Sequence, residues 1–172
     1  MLSDSKNLSL PKNLLKAFQV GYLPNNLKPE KIIISNESKD YHSLNFQINN
    51  VNVEYREAKV TAKKLGYFVT LWKRNSLNKT SPYDISENID FYCFGIADNF
   101  RFGQFIFPKH ILFEKGILSS SKHKGKLGFR LYTPSLELKS KQAIKTQLWQ
   151  ARYFLNFEDK LALNSTPKFL AT

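Results

Sequence analysis

The sequence contains a single cysteine, Cys93, among its 172 residues, so the chain cannot form an internal disulfide. Cys93 lies in the apolar run from Ile89 to Ile96, a setting typical of a buried core thiol rather than of a nucleophile. The three histidines show no metal-ligand spacing, and no second cysteine is present to join them. These absences exclude a disulfide scaffold and a cysteine–histidine zinc site.

Long hydrophobic runs are also missing. No stretch approaches the roughly 18 consecutive apolar residues of a membrane span, and the first residues lack the apolar segment of a signal peptide. We therefore expect a soluble, cytoplasmic protein without a membrane span. No glycine-rich phosphate loop, nucleophile elbow or dinucleotide-binding fingerprint occurs, so the sequence predicts no cofactor.

Acidic residues are few: 14 Asp and Glu stand against 26 Lys and Arg, which gives a net charge of +12. A charge of this size favours nucleic acid, an anionic membrane surface or an acidic protein as partner. The cations are clustered in three stretches that contain no acid, residues 58–83, 115–136 and 138–157. We expect these stretches to converge on one face that binds the phosphates of nucleic acid.

Apolar residues are plentiful, at 42% of the chain with 14% aromatic, which suits one globular domain. Alternating patterns predict strands at residues 42–48, 51–60, 67–74, 90–97, 102–107 and 126–132. Helices are predicted from Pro11 to just before Gly21, at 109–115 and at 140–156. The interpretation is an α+β fold: a strongly bent, mostly antiparallel sheet or incomplete barrel of about six to seven strands with flanking helices. Residues 1–40 form the N-terminal helix and connection, 41–157 the core, and 158–172 a loose tail.

Several of these elements carry detailed predictions. Asn49-Asn50 is expected to form a tight hairpin turn, because asparagine tolerates positive φ. Trp72 is expected to share a strand face with Phe68 and Arg74, either to stack bases or as a second core surface. Inward positions are predicted from helical or strand spacing for three sets: Leu14, Leu15 and Phe18; Leu127, Phe129 and Leu131; and Ile144, Leu148, Ala151 and Leu155. Trp149 lies opposite the last of these, either packed or exposed for binding.

Glu57-Ala58-Lys59 is the one weak catalytic candidate. A Glu-x-Lys on a strand places both side chains on one face, as in the second half of the carboxylate–lysine site of many magnesium-dependent nucleases. That site also needs an upstream acid, and Glu37, Asp40 and Asp90 lack the expected setting. Magnesium is a cofactor only if this alternative holds.

Several strings, taken in order along about residues 22–156, resemble the MepB family of small bacterial proteins. They are Glu37-Ser-Lys-Asp-Tyr41, Arg56-Glu-Ala-Lys59, Phe68-Val-Thr-Leu-Trp-Lys-Arg74, Asp90-Phe91, Phe102-Gly-Gln-Phe-Ile-Phe-Pro-Lys109, Arg130-Leu-Tyr132, Lys141-Gln-Ala143, Thr146-Gln-Leu-Trp-Gln150 and Tyr153-Phe154. The chain departs from the family at Ala62, where proline is usual, and at Tyr132-Thr-Pro-Ser135, which lacks a tryptophan. The resemblance implies a compact nucleic-acid-binding or nuclease-like domain and no particular activity.

The sequence thus predicts a nucleic-acid-binding protein, DNA or RNA, without firm catalytic activity. The alternatives are a metal-dependent nuclease using Glu57 and Lys59, and a small-molecule or protein-binding module in which Trp72 and Trp149 line a pocket. The candidate contact residues supply cations, amides and stacking planes. They are Arg56, Lys59, Lys63, Trp72, Lys73, Arg74, Gln104, Lys109, Arg130, Tyr132, Lys145 and Trp149.

Overall fold

The computed structural model describes residues 9–159, which form three α-helices and eleven strands. The helices are α1 (Lys12–Ala17), α2 (Lys109–Glu114) and α3 (Lys141–Gln150). The strands are β1 (Glu30–Ile34), β2 (Leu44–Ile48), β3 (Val51–Glu57), β4 (Lys59–Thr61), β5 (Lys64–Thr70), β6 (Trp72–Arg74), β7 (Thr80–Pro82), β8 (Phe91–Ala97), β9 (Phe102–Pro108), β10 (Gly128–Leu131) and β11 (Phe154–Asn156). No helix within this range is long and apolar enough to cross a membrane.

Six strands form an open central sheet in the order β1-β2-β3-β8-β9-β11, in which only β3 and β8 are parallel. A second, antiparallel sheet has the order β10-β5-β4, and β6 and β7 form a two-stranded ribbon. The chain passes from the central sheet into the second one where β3 ends and β4 begins. The predicted α+β class and mostly antiparallel sheet are confirmed.

Each face of the central sheet covers its own core, because alternate side chains of a strand point to opposite faces. In β8, Cys93 belongs to the first core, whereas Tyr92, Phe94 and Ile96 belong to the second. The N-terminal helical segment covers the first core, and the second sheet contributes to the second core. The prediction that β8 is a central strand with two apolar faces is confirmed. Cys93 is fully buried, and this burial raises the pKa of its thiol to about 12.

The hairpin prediction is also confirmed. Asn49 and Asn50 have φ values of 51° and 64° and connect β2 to β3, whose residues pair in register from Ile48↔Val51 to Leu44↔Tyr55. This register directs Val53 and Tyr55 into the first core. Glu54 and Arg56 are consequently on the opposite face of the same strand, where both are buried.

The N-terminal helix differs from its prediction. Leu14, Ala17 and Phe18 are buried, whereas Leu15 is 41% exposed and does not face the core. Helical turns continue past Gly21 as far as Asn25, and the left-handed residue that ends them is Asn26, with φ 59°. Gly21 instead lies against the ring of Phe157, where a Cβ atom would collide. Strand β1, in the predicted connection, was missed.

Three predicted elements were too long. The strand predicted at 51–60 ends at Glu57 in the central sheet, and Lys59 belongs to β4 of the second sheet, so Glu57 and Lys59 do not share one strand. The strand predicted at 67–74 ends at Thr70, because β5 pairs with β10 whereas Trp72 and Arg74 pair with β7 in the ribbon. Phe68 and Trp72 therefore lie on different strands. The helix predicted at 140–156 ends at Gln150, and residues 154–156 form the edge strand β11 beside β9. Residues 160–172, most of the predicted tail, lie outside the described range.

Two of the predicted apolar faces are wrong in part. Leu127 precedes β10 and is 47% exposed, although Phe129 and Leu131 are buried as expected. Ile144 and Leu148 are 38% and 67% exposed, so α3 does not bury the stripe that helical spacing predicted. The helix packs through Trp149 and through two glutamines, whose amide groups form hydrogen bonds with the backbone of other segments. The periodicity of hydrophobic residues does not reveal such contacts.

Candidate functional site

A pocket of about 650 Å³ opens where β5, β10 and α3 come together. We call it the basic pocket. Its wall is formed by Lys64, Leu65, Lys115, Ile117, Lys126, Gly128, Phe129, Arg130, Tyr132, Leu138, Lys139, Ser140, Gln142, Ala143, Thr146, Trp149 and Gln150.

Among residues 9–159, the basic pocket is lined by five cationic side chains and by no acidic one. Lys64 comes from the first acid-free stretch, Lys115, Lys126 and Arg130 from the second, and Lys139 from the third. The three stretches therefore meet at one concavity. Like charges held together in a concave site raise the local positive potential and attract anions.

Arg130 is the most firmly held of these cations. Its guanidinium donates to the carbonyl oxygen of Leu65 at 3.1 Å and to Oγ1 of Thr61 at 2.6 Å, and it lies 6.0 Å from the ring centroid of Phe68. Phe68 is also its partner in the β10–β5 register. A guanidinium has five N–H donors, so two such bonds fix its position and leave donors for an anion.

The aromatic part of the wall consists of Phe129, Tyr132 and Trp149. The ring of Tyr132 packs against Gly66, which has a φ of +82°. A Cβ atom on Gly66 would come within 2.6 Å of Tyr132 Cδ1. Trp149 packs on Phe107 with ring centroids 5.3 Å apart, and Nζ of Lys115 lies 5.5 Å from its indole. Trp149 is thus both packed against the core and part of the pocket wall.

Two glutamines attach α3 to the second sheet. The buried side chain of Gln150 accepts from the backbone N–H of Tyr132 at 2.8 Å and donates to the carbonyl oxygen of Arg130 at 2.9 Å. Nε2 of Gln147 donates to the carbonyl oxygens of Thr133 and Leu136, both at 2.8 Å. The amide groups therefore position the helical wall of the pocket against β10.

Replacing Gln150 by leucine should lower the free energy of unfolding by about 1–3 kcal/mol, because the backbone groups of Arg130 and Tyr132 would lose their buried partner. Chemical denaturation measures this change. The matched control is Gln142→Leu on the same helix, where the side chain is exposed. Equal stability of the two variants would show that Gln150 does not hold α3 to the sheet.

Of the predicted contact residues, Arg130, Tyr132 and Trp149 line the basic pocket. Lys63 lines a neighbouring cavity of about 330 Å³, which shares Lys64 and Leu65 with the basic pocket. Lys145 is exposed on α3 outside both walls. Lys64, Lys115, Lys126 and Lys139 were recognised only as members of the acid-free stretches, since nothing in the sequence shows which lysines share a concavity.

A second group of predicted contact residues lies around the β6–β7 ribbon and none of its members lines the basic pocket. The guanidinium of Arg74 lies 5.3 Å from the ring centroid of Trp72. Nζ of Lys73 is 2.6 Å from the carboxylate of Glu87, and Nζ of Lys109 donates to the backbone carbonyl of Glu87 at 3.0 Å. Lys73 and Lys109 therefore have partners within the protein.

Two predicted contact residues face the interior, in contrast to the surface role expected of them. Arg56 is 1% exposed, pairs with Glu54 and donates to the hydroxyl of Tyr83 at 3.1 Å. Gln104 is also 1% exposed and accepts from the hydroxyl of Tyr22 at 2.5 Å. Their polarity serves hydrogen bonds within the two cores, so neither residue is available to a ligand at the surface.

Glu57 and Lys59 have separate surroundings. The Glu57 carboxylate accepts from the hydroxyl of Tyr55 at 3.2 Å and lies 3.6 Å from Nε2 of His42. The exposed Lys59 places Nζ 4.8 Å from the ring centroid of Tyr41. Among residues 9–159, no three His, Cys, Asp or Glu side chains are grouped to hold a metal ion. Within the described part of the chain, Glu57 therefore lacks the group of three ligands that a metal centre would need.

Comparison with known proteins places this region in a family context. A family model described as MepB-like matches residues 35–156. A crystal structure of MepB is 32% identical in sequence, with a TM-score of 0.77 over 88% of this chain and 100% of that one. The structure of a bacterial homing endonuclease, I-Ssp6803I, is 14% identical over 80% of this chain and 84% of that one, and its TM-score of 0.43 is too low to relate the two functions. No curated protein matches the chain.

Proposed function

This chain belongs to the MepB-like family, and we propose that it binds nucleic acid through the basic pocket. All the residues that line this pocket lie in the region matched by the family model. The observation that carries the proposal is the charge of the pocket wall, to which the described residues contribute five cations and no acid. Lysine and arginine bind phosphates and release the counterions condensed on a nucleic-acid backbone, which makes such binding strong at low salt.

The other side chains of the wall suit the remaining parts of a nucleotide. Tyr132 and Trp149 supply ring faces on which bases stack, an interaction that tolerates any sequence. Gln142 and Thr146 offer hydrogen-bond groups at the same wall. A phosphate-binding surface with adjacent aromatic rings is the combination found in proteins that bind single strands.

Neutralising two pocket lysines tests the proposal. The variant Lys126→Gln with Lys139→Gln should bind a labelled oligonucleotide about tenfold or more weakly at low salt. The slope of log affinity against log salt should become shallower by roughly 1.4–1.8, because each lost phosphate contact removes about 0.7–0.9. Fluorescence anisotropy at several salt concentrations measures both quantities.

The matched control is Lys12→Gln with Lys28→Gln, which removes the same charge from exposed positions outside the pocket, in or near the N-terminal helical segment. This variant should keep nearly wild-type affinity and slope. If the wild-type protein binds no oligonucleotide at low salt, or if both double variants lose the same affinity, the proposal is wrong.

A small anionic ligand is a second candidate, favoured by the volume of the pocket. A concavity of about 650 Å³ falls within the range of roughly 300–1,000 Å³ typical of small-molecule sites. Trp149 lines it, as that alternative expected, whereas Trp72 does not. Competition separates the two functions: a mononucleotide that displaces an oligonucleotide at equal phosphate concentration favours the small ligand. The nuclease alternative gains no support from the surroundings of Glu57, and we do not propose it.

A further inference from the structure

The shape of the basic pocket restricts which form of nucleic acid can enter it. Its volume of about 650 Å³ equals that of a cube with an edge of roughly 9 Å, whereas a B-DNA duplex is wider than its own major groove of about 12 Å and so cannot fit inside. A duplex is a convex rod with its bases enclosed, so it can present only its backbone to such a concavity. An unpaired nucleotide can extend its base into it.

The composition of the wall points the same way. Besides its cations, the basic pocket is lined by apolar and aromatic side chains, among them Leu65, Phe129 and Trp149. Leu65 is 59% exposed. A phosphate gains nothing from these side chains, whereas a base that covers them removes apolar surface from water. Cations beside an apolar wall therefore match a nucleotide whose phosphate and base are both accessible.

Trp149 has the setting expected of a stacking surface. Its indole packs against Phe107, and at the pocket wall the ammonium of Lys115 lies 5.5 Å from the ring centroid. Lys115 is exposed and its side chain is long and flexible. Its ammonium can therefore move aside, and a base can occupy the position over the Trp149 ring. The displaced ammonium then remains within reach of the phosphate of the same nucleotide.

From these observations we infer that the basic pocket holds an unpaired nucleotide and that the protein prefers single-stranded nucleic acid to a duplex. This inference rests on the proposed function, since it assumes that nucleic acid is the ligand. It adds a strand preference and a stacking residue, Trp149, to that proposal.

The test uses the intrinsic fluorescence of Trp149. The chain has two tryptophans, so Trp72→Phe leaves Trp149 as the single reporter. This variant is titrated with a single-stranded oligonucleotide, with the duplex of the same sequence, and with a single strand of the same length in which the bases are absent. Anisotropy of labelled copies gives the affinities, and tryptophan emission reports contact with Trp149.

We expect the single strand to bind about tenfold or more tightly than the duplex and to quench Trp149, because base stacking on aromatic side chains contributes substantially to such affinities. The strand without bases should bind more weakly and leave the emission unchanged. If the duplex binds as tightly as the single strand, or if the single strand binds without quenching Trp149, the inference is wrong although the proposed function stands. If no nucleic acid binds, both are wrong.

Discussion

Replacing Arg56 by alanine is expected to lower the free energy of unfolding by about 3–5 kcal/mol, the usual cost of removing one partner from a buried ion pair. Arg56 and Glu54 are 1% and 4% exposed and pair with each other between the central sheet and the β6–β7 ribbon. The hydroxyl of Tyr83 donates to Glu54 at 3.0 Å, and the guanidinium donates to the carbonyl oxygen of Trp72 at 3.4 Å. Without Arg56, the Glu54 carboxylate would stay buried with no opposite charge.

The cost should depend on pH. Burial raises the pKa of the Glu54 carboxyl, while the charge and hydrogen bonds of Arg56 act in the opposite direction. An acid with a raised folded-state pKa stabilises the protein below its unfolded pKa, and this contribution is lost as the pH rises through the folded value. Arg56→Ala should raise the pKa of Glu54 further. The difference in stability from wild type should therefore be larger at neutral pH and shrink as the pH falls through the two folded-state pKa values, which lie above the ordinary glutamate value of about 4.

Arg101→Ala is the control for this prediction. Arg101 pairs with Asp98 at 3.5 Å, but both side chains are partly exposed, at 28% and 19%. Such a pair contributes about 1 kcal/mol or less. Denaturant unfolding of the three proteins between neutral and mildly acidic pH measures the two costs. Equal losses in both variants, or a loss for Arg56→Ala that does not change with pH, would contradict the assigned role of the buried pair.

Phe107→Ala is the second large effect that we expect, a loss of about 3–5 kcal/mol in the free energy of unfolding. Phe107 is fully buried in β9, stacked on Phe105 with ring centroids 5.7 Å apart and 6.0 Å from Phe94. It also contacts Trp149 at 5.3 Å and Tyr153 at 5.5 Å. Truncation would leave a cavity beneath the C-terminal end of α3, which supplies part of the pocket wall.

Unlike an ordinary core residue, Phe107 is also expected to affect the wall of the basic pocket. Because Trp149 loses its support, Phe107→Ala should change the emission of Trp149 in a Trp72→Phe background even under conditions in which the protein stays folded. Phe100→Ala is the control, since Phe100 is 79% exposed and its removal should change stability by less than about 0.5 kcal/mol. A folded Phe107→Ala variant with unchanged Trp149 emission would show that Phe107 does not support the pocket wall.

Local sequence patterns correctly predicted the elements that are determined by residues adjacent in sequence. Asn49-Asn50 forms its turn because two adjacent residues there must adopt positive φ, a preference of asparagine itself. Pro108 precedes α2, and Gly116, with φ +69°, follows it, so both boundaries could be read from the chain. Strand β8 was identified by an apolar run that fits a strand covered on both faces.

Predictions failed where a distant segment determined the outcome. Trp72 does not continue strand β5, because its backbone pairs with β7. Residues 154–156 do not continue helix α3, because they pair with β9. The face of α3 that packs is held by Gln147 and Gln150, through bonds to carbonyl groups that belong to other parts of the chain. Hydrophobic periodicity cannot reveal a helix that is attached by amide hydrogen bonds.

The sequence by itself determined the α+β class, the family and the existence of three stretches with cations and no acids, since these follow from composition, alternation and order along the chain. Only the tertiary structure decided which of those cations share a pocket and which, like Arg56, are buried. The physical reason is that charge is a property of a residue, whereas its burial and neighbours depend on which strands pair and which faces pack. The convergence of Lys64, Lys115 and Lys139 is therefore a result of the fold.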